Sequence, residues 1–221
     1  MAIVQDRTGV EELLVRASTP ELRNEIEQMI LRTGALLIGD HYVLKSGYHS
    51  DQFIRFSAIV KFPTHVKRLA TALAEKLSSL APDCVVVPNN AATVLGYELA
   101  LQLHSKVAFV DLGAAGYPAR FAPNFEVPPG ERVVLLVDIV TTGQSLRCLD
   151  SLSSNAGLEV VAAAAFAERG MTEISQLDLS CPEENRFVLA KFKLNHWLGI
   201  PGVCDLCSQG IPVVSSMNLQ A

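Results

Sequence analysis

No apolar run in this sequence is long enough to cross a bilayer. The longest, Val160–Ala167, spans eight residues, where a spanning helix needs about twenty. The N-terminal segment lacks the apolar core of a secretion signal, so none is expected. Basic residues are in short supply: 18 Lys and Arg stand against 23 Asp and Glu, for a formal charge of −5. That balance argues against nucleic-acid or membrane-surface partners, which select for basic patches. An acidic total leaves room for a local anion site built from backbone N–H groups. Cysteines number five, an odd count. Without a secretion signal, this predicts reduced thiols in a cytoplasmic protein. Repeats and low-complexity tracts are absent.

What is present is a large apolar fraction, 49 %, in one chain of domain size. "STPELRNEIEQMILRTG" (18–34) reads as a helix, with Ser18 and Glu21 as a capping box, Pro20 in the first turn and Gly34 closing the end. Residues 35–59 read as short strands with turns at Gly39-Asp40 and Ser46-Gly47. A helix over 64–80 places Val66, Leu69, Leu73, Leu77 and Leu80 on one stripe. An alternation follows: strand 84–88, helix 93–103, strand 106–111, a Pro- and Gly-rich loop over 112–130, strand 132–138, helix 144–156, strand 159–168. Continuous apolar strands separated by helices predict an α/β fold, a doubly wound parallel sheet of about five strands covered on both faces.

The stretch "RVVLLVDIVTTGQSLRCLD" (132–150) is the most informative. Five apolar residues run into Asp138, and Thr141, Thr142, Gly143, Gln144 and Ser145 turn the chain into a helix. Ligands bind at the carboxyl ends of strands in open parallel sheets. Free N–H groups and the dipole at a helix start favour an anion. An acid beside such a cradle suits a sugar phosphate; on this stretch alone, a plain helix cap is an equal reading.

"VVLLVDIVTTGQS" resembles the phosphoribosyl-pyrophosphate motif of type I phosphoribosyltransferases. "YVLKSGYHSDQF" (42–53) is similar to the N-terminal hood signature of orotate phosphoribosyltransferases. "AFAERG" (165–170) resembles the family's late strand end with its arginine, and "CDLCSQGIP" (204–212) the ending of some members. The resemblance implies transfer of phosphoribosyl from phosphoribosyl pyrophosphate to orotate or a related pyrimidine, with Mg2+ riding on the substrate. Thr141, Thr142, Gly143, Gln144 and Ser145 would hold the 5′-phosphate and Asp138 a ribose hydroxyl. Lys45 would reach substrate from the hood, Phe53 would stack on the base, and Arg169 would face orotate with its fork of donors. It also implies a homodimer whose loop reaches the neighbouring site. The layout expected is a hood over 18–62, a core over 63–185 and a tail over 186–221.

Three positions depart from the family pattern. Val137 stands where the first of two adjacent acids belongs. Ala91 and Ala92 replace a lysine and glycine expected to meet pyrophosphate, leaving Asn89 and Asn90 as neutral donors. Segment 111–125 carries one basic residue, Arg120, and neither lysine nor histidine. Two readings therefore stand: a transferase with a rearranged pyrophosphate site, or a non-catalytic relative that binds a nucleotide or sugar phosphate as a regulator. The remaining polar candidates read blandly. Cys204-x-x-Cys207 is half of a metal site at most, with Cys181 and His196 as the nearby candidate ligands, and is preferred as a plain turn of reduced thiols. His49 is preferred as an exposed turn residue over a substrate contact, and Glu168 offers Arg169 an alternative ion pair. Trp197 is expected to pack the tail onto the body.

Overall fold

The computed structural model describes residues 2–3 and 7–215; Met1, 4–6 and the last residues of the expected tail, 216–221, lie outside the described residues. In chain order the elements are β1 (Ala2–Ile3), α1 (Arg7–Leu13), β2 (Leu14–Ala17), α2 (Pro20–Thr33), β3 (Leu36–Val43), β4 (Tyr48–Ile54), α3 (Phe56–Val60), α4 (Pro63–Leu77) and β5 (Cys84–Pro88). They continue with α5 (Ala92–Gln102), β6 (Lys106–Leu112), β7 (Pro118–Phe121), β8 (Arg132–Val140), α6 (Gln144–Asn155), β9 (Glu159–Glu168), β10 (Arg186–Phe192), β11 (Trp197–Leu198), α7 (Asp205–Ser208) and β12 (Val213–Ser215).

The central sheet has the order β2-β10-β9-β8-β5-β6-β7. Its five inner strands are mutually parallel. Both edges are closed by antiparallel strands, β2 on β10 and β7 on β6. The middles of the inner strands are apolar because both faces are covered there. Val85, Val87, Val134 and Leu136 pack toward α4 and α5. Val86, Leu135 and Val137 alternate to the other face, against Leu146 and Leu149 of α6. The result is the expected α/β sheet wound on both sides.

Four local expectations need correction. The cap of α2 is Thr19, whose hydroxyl accepts from the Leu22 N–H at 3.1 Å; Ser18 is drawn off to the sheet and donates to the Val188 carbonyl. The sheet has seven strands, since edge strands this short carry no periodic signal. Residues 118–121 lie inside the expected loop but fold back as β7. Residues 186–192, expected in the tail, form β10 inside the sheet, with Leu189 and Ala190 buried.

The hood is a second, smaller sheet in the order β1-β3-β4-β11, with β12 also paired to β3. The hairpin β3–β4 turns at Leu44–Gly47, where Gly47 has φ +84°. Leu37, Tyr42, Leu44 and Phe53 form its own small core. The tail returns to it: β11 pairs Trp197 with His49, and β12 pairs Val213 with His41. Trp197 thus joins the tail to the body, as expected.

Candidate active site

Strand β8 passes through the core and surfaces at Asp138, at the carboxyl edge of the sheet. The chain then turns through 141–143 and enters α6. Gly143 takes the N-cap position with φ +77°, and no side chain caps the helix. A β-carbon there would collide with the Leu177 side chain, so the turn needs glycine for both conformation and space. The amides of the first turn of α6 are left without a capping side chain, the arrangement that receives an anion. Arg147 steadies the turn by donating to the Thr142 carbonyl at 2.7 Å.

All nine residues singled out from the sequence line one cleft under the hood: Lys45, Phe53, Asp138, Thr141, Thr142, Gly143, Gln144, Ser145 and Arg169. Three separate chain regions bring them together. Lys45, at the hairpin turn, donates from Nζ to the Gly116 carbonyl at 3.1 Å and to Ser145 Oγ at 3.2 Å. Its ammonium also lies 4.5 Å from the Tyr117 ring centroid. The lysine is open to solvent, yet neighbouring protein atoms desolvate it and lower its pKa, against the opposing pull of Asp138 and Cys148. Asp138 is the only acid lining the cleft among the described residues. Burial raises its pKa, while the Ile139 backbone N–H and Lys45 pull it down.

Arg169 follows β9 and is 3 % exposed. One terminal nitrogen donates to Ser50 Oγ at 3.0 Å and to the Gln52 carbonyl at 3.2 Å. Its Nε has no hydrogen-bond partner among the described residues. Burial lowers its pKa to about 10, with Asp51 opposing, so the guanidinium stays charged near neutrality. The alternative pairing with Glu168 does not occur. Glu168 points to the other side of the strand, pairs with Lys191 at 3.3 Å and accepts from the Ile174 N–H. Phe53 is 5 % exposed and its ring sits 5.7 Å from that of Tyr42, so it supports the cleft from the hood core.

The opposite side of the cleft is poor in cations. Val137 is buried in the core. Asn90 Oδ1 accepts from the Ala92 N–H at the start of α5, 2.8 Å away. Arg120 is 76 % exposed and leans on its cross-strand partner Asp111 at 3.5 Å. Sequence reasoning missed Tyr117, Arg147 and Ser50. Tyr117 is a lone aromatic in a loop, and Arg147 and Ser50 act only through neighbours that the tertiary fold supplies.

The same architecture occurs in solved phosphoribosyltransferases. The orotate phosphoribosyltransferase of Aeropyrum pernix superposes with a TM-score of 0.56 at 20 % identity, covering 87 % of this chain and 94 % of that one. The UMP synthase of Leishmania donovani gives a TM-score of 0.64 at 20 % identity over 78 % of this chain. This chain spans only 36 % of that larger protein. These likenesses define the fold as that of the type I phosphoribosyltransferases. No protein-family model matches the chain. A curated relative from Methylorubrum populi, named orotate phosphoribosyltransferase, is 38 % identical over 174 residues, 74 % of this chain and 86 % of its own length. The chain belongs to the orotate phosphoribosyltransferase family.

Proposed function

We propose that the protein transfers phosphoribosyl from phosphoribosyl pyrophosphate to orotate, releasing pyrophosphate and orotidine 5′-monophosphate. One observation carries this reading: a single cleft holds an uncapped helix start, a carboxylate and a buried arginine with a spare N–H. The 5′-phosphate takes the amides and hydroxyls of 141–145. Asp138 accepts from a ribose hydroxyl. Arg169 donates to the planar, anionic pyrimidine, and its unmet Nε makes that contact favourable. In the transfer, the bond from ribose carbon 1 to pyrophosphate breaks, carbon 1 bonds to the pyrimidine ring nitrogen, and the proton of that nitrogen is released to solvent or to the departing pyrophosphate. Positive charge develops on the ribose, so positioning and electrostatics do most of the work. Lys45 closes the hood over the phosphate loop and supplies one cation.

Magnesium enters as part of the substrate. One carboxylate plus diphosphate and ribose oxygens is a donor set that suits it, and Asp138 would be the protein's contribution. Magnesium supplies charge neutralisation on the leaving group, which the cation-poor side of the cleft lacks. We further propose a homodimer, supported by Val94, Tyr97 and Leu101. These exposed apolar side chains form one stripe along α5, a surface suited to a second copy. Five free thiols favour the cytoplasm as its compartment.

The stripped pyrophosphate side supports the second reading, a relative that binds a nucleotide without turnover. Mixing the protein with phosphoribosyl pyrophosphate, Mg2+ and orotate and following orotate absorbance decides between them. Steady loss of orotate is expected. No turnover alongside intact binding of orotidine or uridine monophosphate would leave the regulatory reading standing.

A further inference from the structure

Four metal-binding side chains converge outside the cleft, and the activity uses none of them. His41 and His49 come from the two strands of the hood hairpin, Cys204 and Cys207 from the tail. One ligand atom from each lies within 4.8 Å of all the others. Cys204 Sγ is 3.5 Å from His41 Nε2, and Cys207 Sγ is 3.6 Å from His41 Nε2 and 3.2 Å from His49 Nδ1. A tetrahedral zinc ion, with Zn–S near 2.3 Å and Zn–N near 2.05 Å, sets nitrogen–sulfur edges at about 3.5 Å. The observed edges straddle that value. The two imidazole nitrogens are 2.7 Å apart and would spread by roughly 0.6 Å to span the same tetrahedron.

A second observation points the same way. His41 Nδ1 is 2.7 Å from the Ile211 carbonyl. It must donate there, which leaves Nε2 with its lone pair aimed into the cluster, the second-shell arrangement that orients a metal-bound histidine. His41 and Cys204 are buried and His49 is 9 % exposed. Gly199 packs so closely on the His49 ring that a β-carbon there would overlap it. Two thiolates would balance the charge of a divalent ion inside this enclosure. The chain pattern explains why sequence reading left Cys204 and Cys207 as a plain turn. The partner histidines lie more than 150 residues away and meet the cysteines only through the pairing of β11 and β12 with the hood.

We propose that His41, His49, Cys204 and Cys207 bind one Zn2+ as a closed N2S2 structural site that fastens the tail to the hood. Four protein ligands leave no open position for substrate, so the ion's role is architectural. It clamps β3 and β4, the strands whose turn carries Lys45.

The full chain, purified without a histidine tag under reducing conditions, is assayed for metal by mass spectrometry. About one zinc per chain is expected. Replacing it with Co2+ should produce thiolate charge-transfer bands and the visible spectrum of a tetrahedral ion. Cys204→Ser combined with Cys207→Ser should lose the metal, while Cys148→Ser and Cys181→Ser retain it. Should the double variant not fold, the wild-type stoichiometry and cobalt spectrum still decide. Wild-type protein that holds no zinc as purified and takes up none when zinc is added to reduced thiols would overturn the proposal. So would an octahedral cobalt spectrum, a Cys204–Cys207 disulfide in its place, or zinc retained by the folded double variant.

Discussion

Lys45 Nζ sits 3.2 Å from Ser145 Oγ, joining the turn of the hood hairpin to the first turn of the helix that follows the 141–143 turn. The two residues are 100 positions apart in sequence. The contact makes the hood a wall of the cleft rather than an ornament above it. Lys45→Met should therefore act on catalysis and leave the fold alone, since the residue lies at an exposed hairpin turn outside the hydrophobic core. Loss of one charge-assisted contact, about 1.5–3 kcal/mol, predicts a drop of roughly 10- to 100-fold in kcat/KM for phosphoribosyl pyrophosphate. Initial-rate kinetics beside a thermal melt test this; a large fall in Tm with unchanged kinetics would contradict it.

Asp138 is costly to the fold in its ionised form. Burial raises its carboxyl pKa, so the native state holds its proton more tightly than the unfolded chain. The stabilising protonated form is fully present below the unfolded value of 3.8. That contribution is lost as pH rises through the higher folded value. Asp138→Asn should therefore raise Tm at pH 8 and give a smaller gain near pH 4, close to the unfolded value, while lowering kcat. Melting curves of both proteins at the two pH values read this directly. A destabilised variant at pH 8 would refute it.

Gly143 is confined by its positive φ and by Leu177. Gly143→Ala forces a side chain into the left-handed region, at a cost of roughly 1–2 kcal/mol, and presses on Leu177 in the core. A larger side chain such as valine cannot spare the fold. The alanine variant should melt several degrees lower and bind nucleotide monophosphate at least tenfold more weakly. Calorimetric titration with wild-type affinity would count against the phosphate turn.

Arg169 is held by Ser50 and by the Gln52 carbonyl. Arg169→Lys keeps the charge but removes the planar fork. KM for orotate should rise about tenfold or more, with KM for phosphoribosyl pyrophosphate little changed. Equal effects on both substrates would place the arginine elsewhere in the reaction.

On α5, Tyr97 is 61 % and Leu101 62 % exposed. Tyr97→Glu together with Leu101→Glu should convert a dimer into a monomer in sedimentation velocity, with the far-UV spectrum unchanged. A monomeric wild type would remove this surface from consideration.

The reach of the primary sequence depended on how local each signal was. The apolar strands β5, β8 and β9, the helical stripe of α4 and the glycine end of α2 announce themselves within a few residues, because burial on both faces and helix geometry impose local patterns. The turn at 141–145, with its uncapped helix start, was equally legible, since strand, acid, hydroxyls and glycine lie in one short stretch. Short edge strands such as β7 carry no period to detect, and β10, with Arg186 and Lys191 breaking its apolar run, does not separate from a tail.

Other features existed only once the chain closed on itself. Ser18 lost its capping role to Thr19 because the neighbouring sheet offered it the Val188 carbonyl. Arg169 found Ser50 and Gln52 rather than its neighbour Glu168, because adjacent side chains on an extended chain point to opposite sides. The meeting of His41 and His49 with Cys204 and Cys207 was decided by the return of the tail along the hood sheet, an event of strand pairing between distant segments that no local spacing encodes.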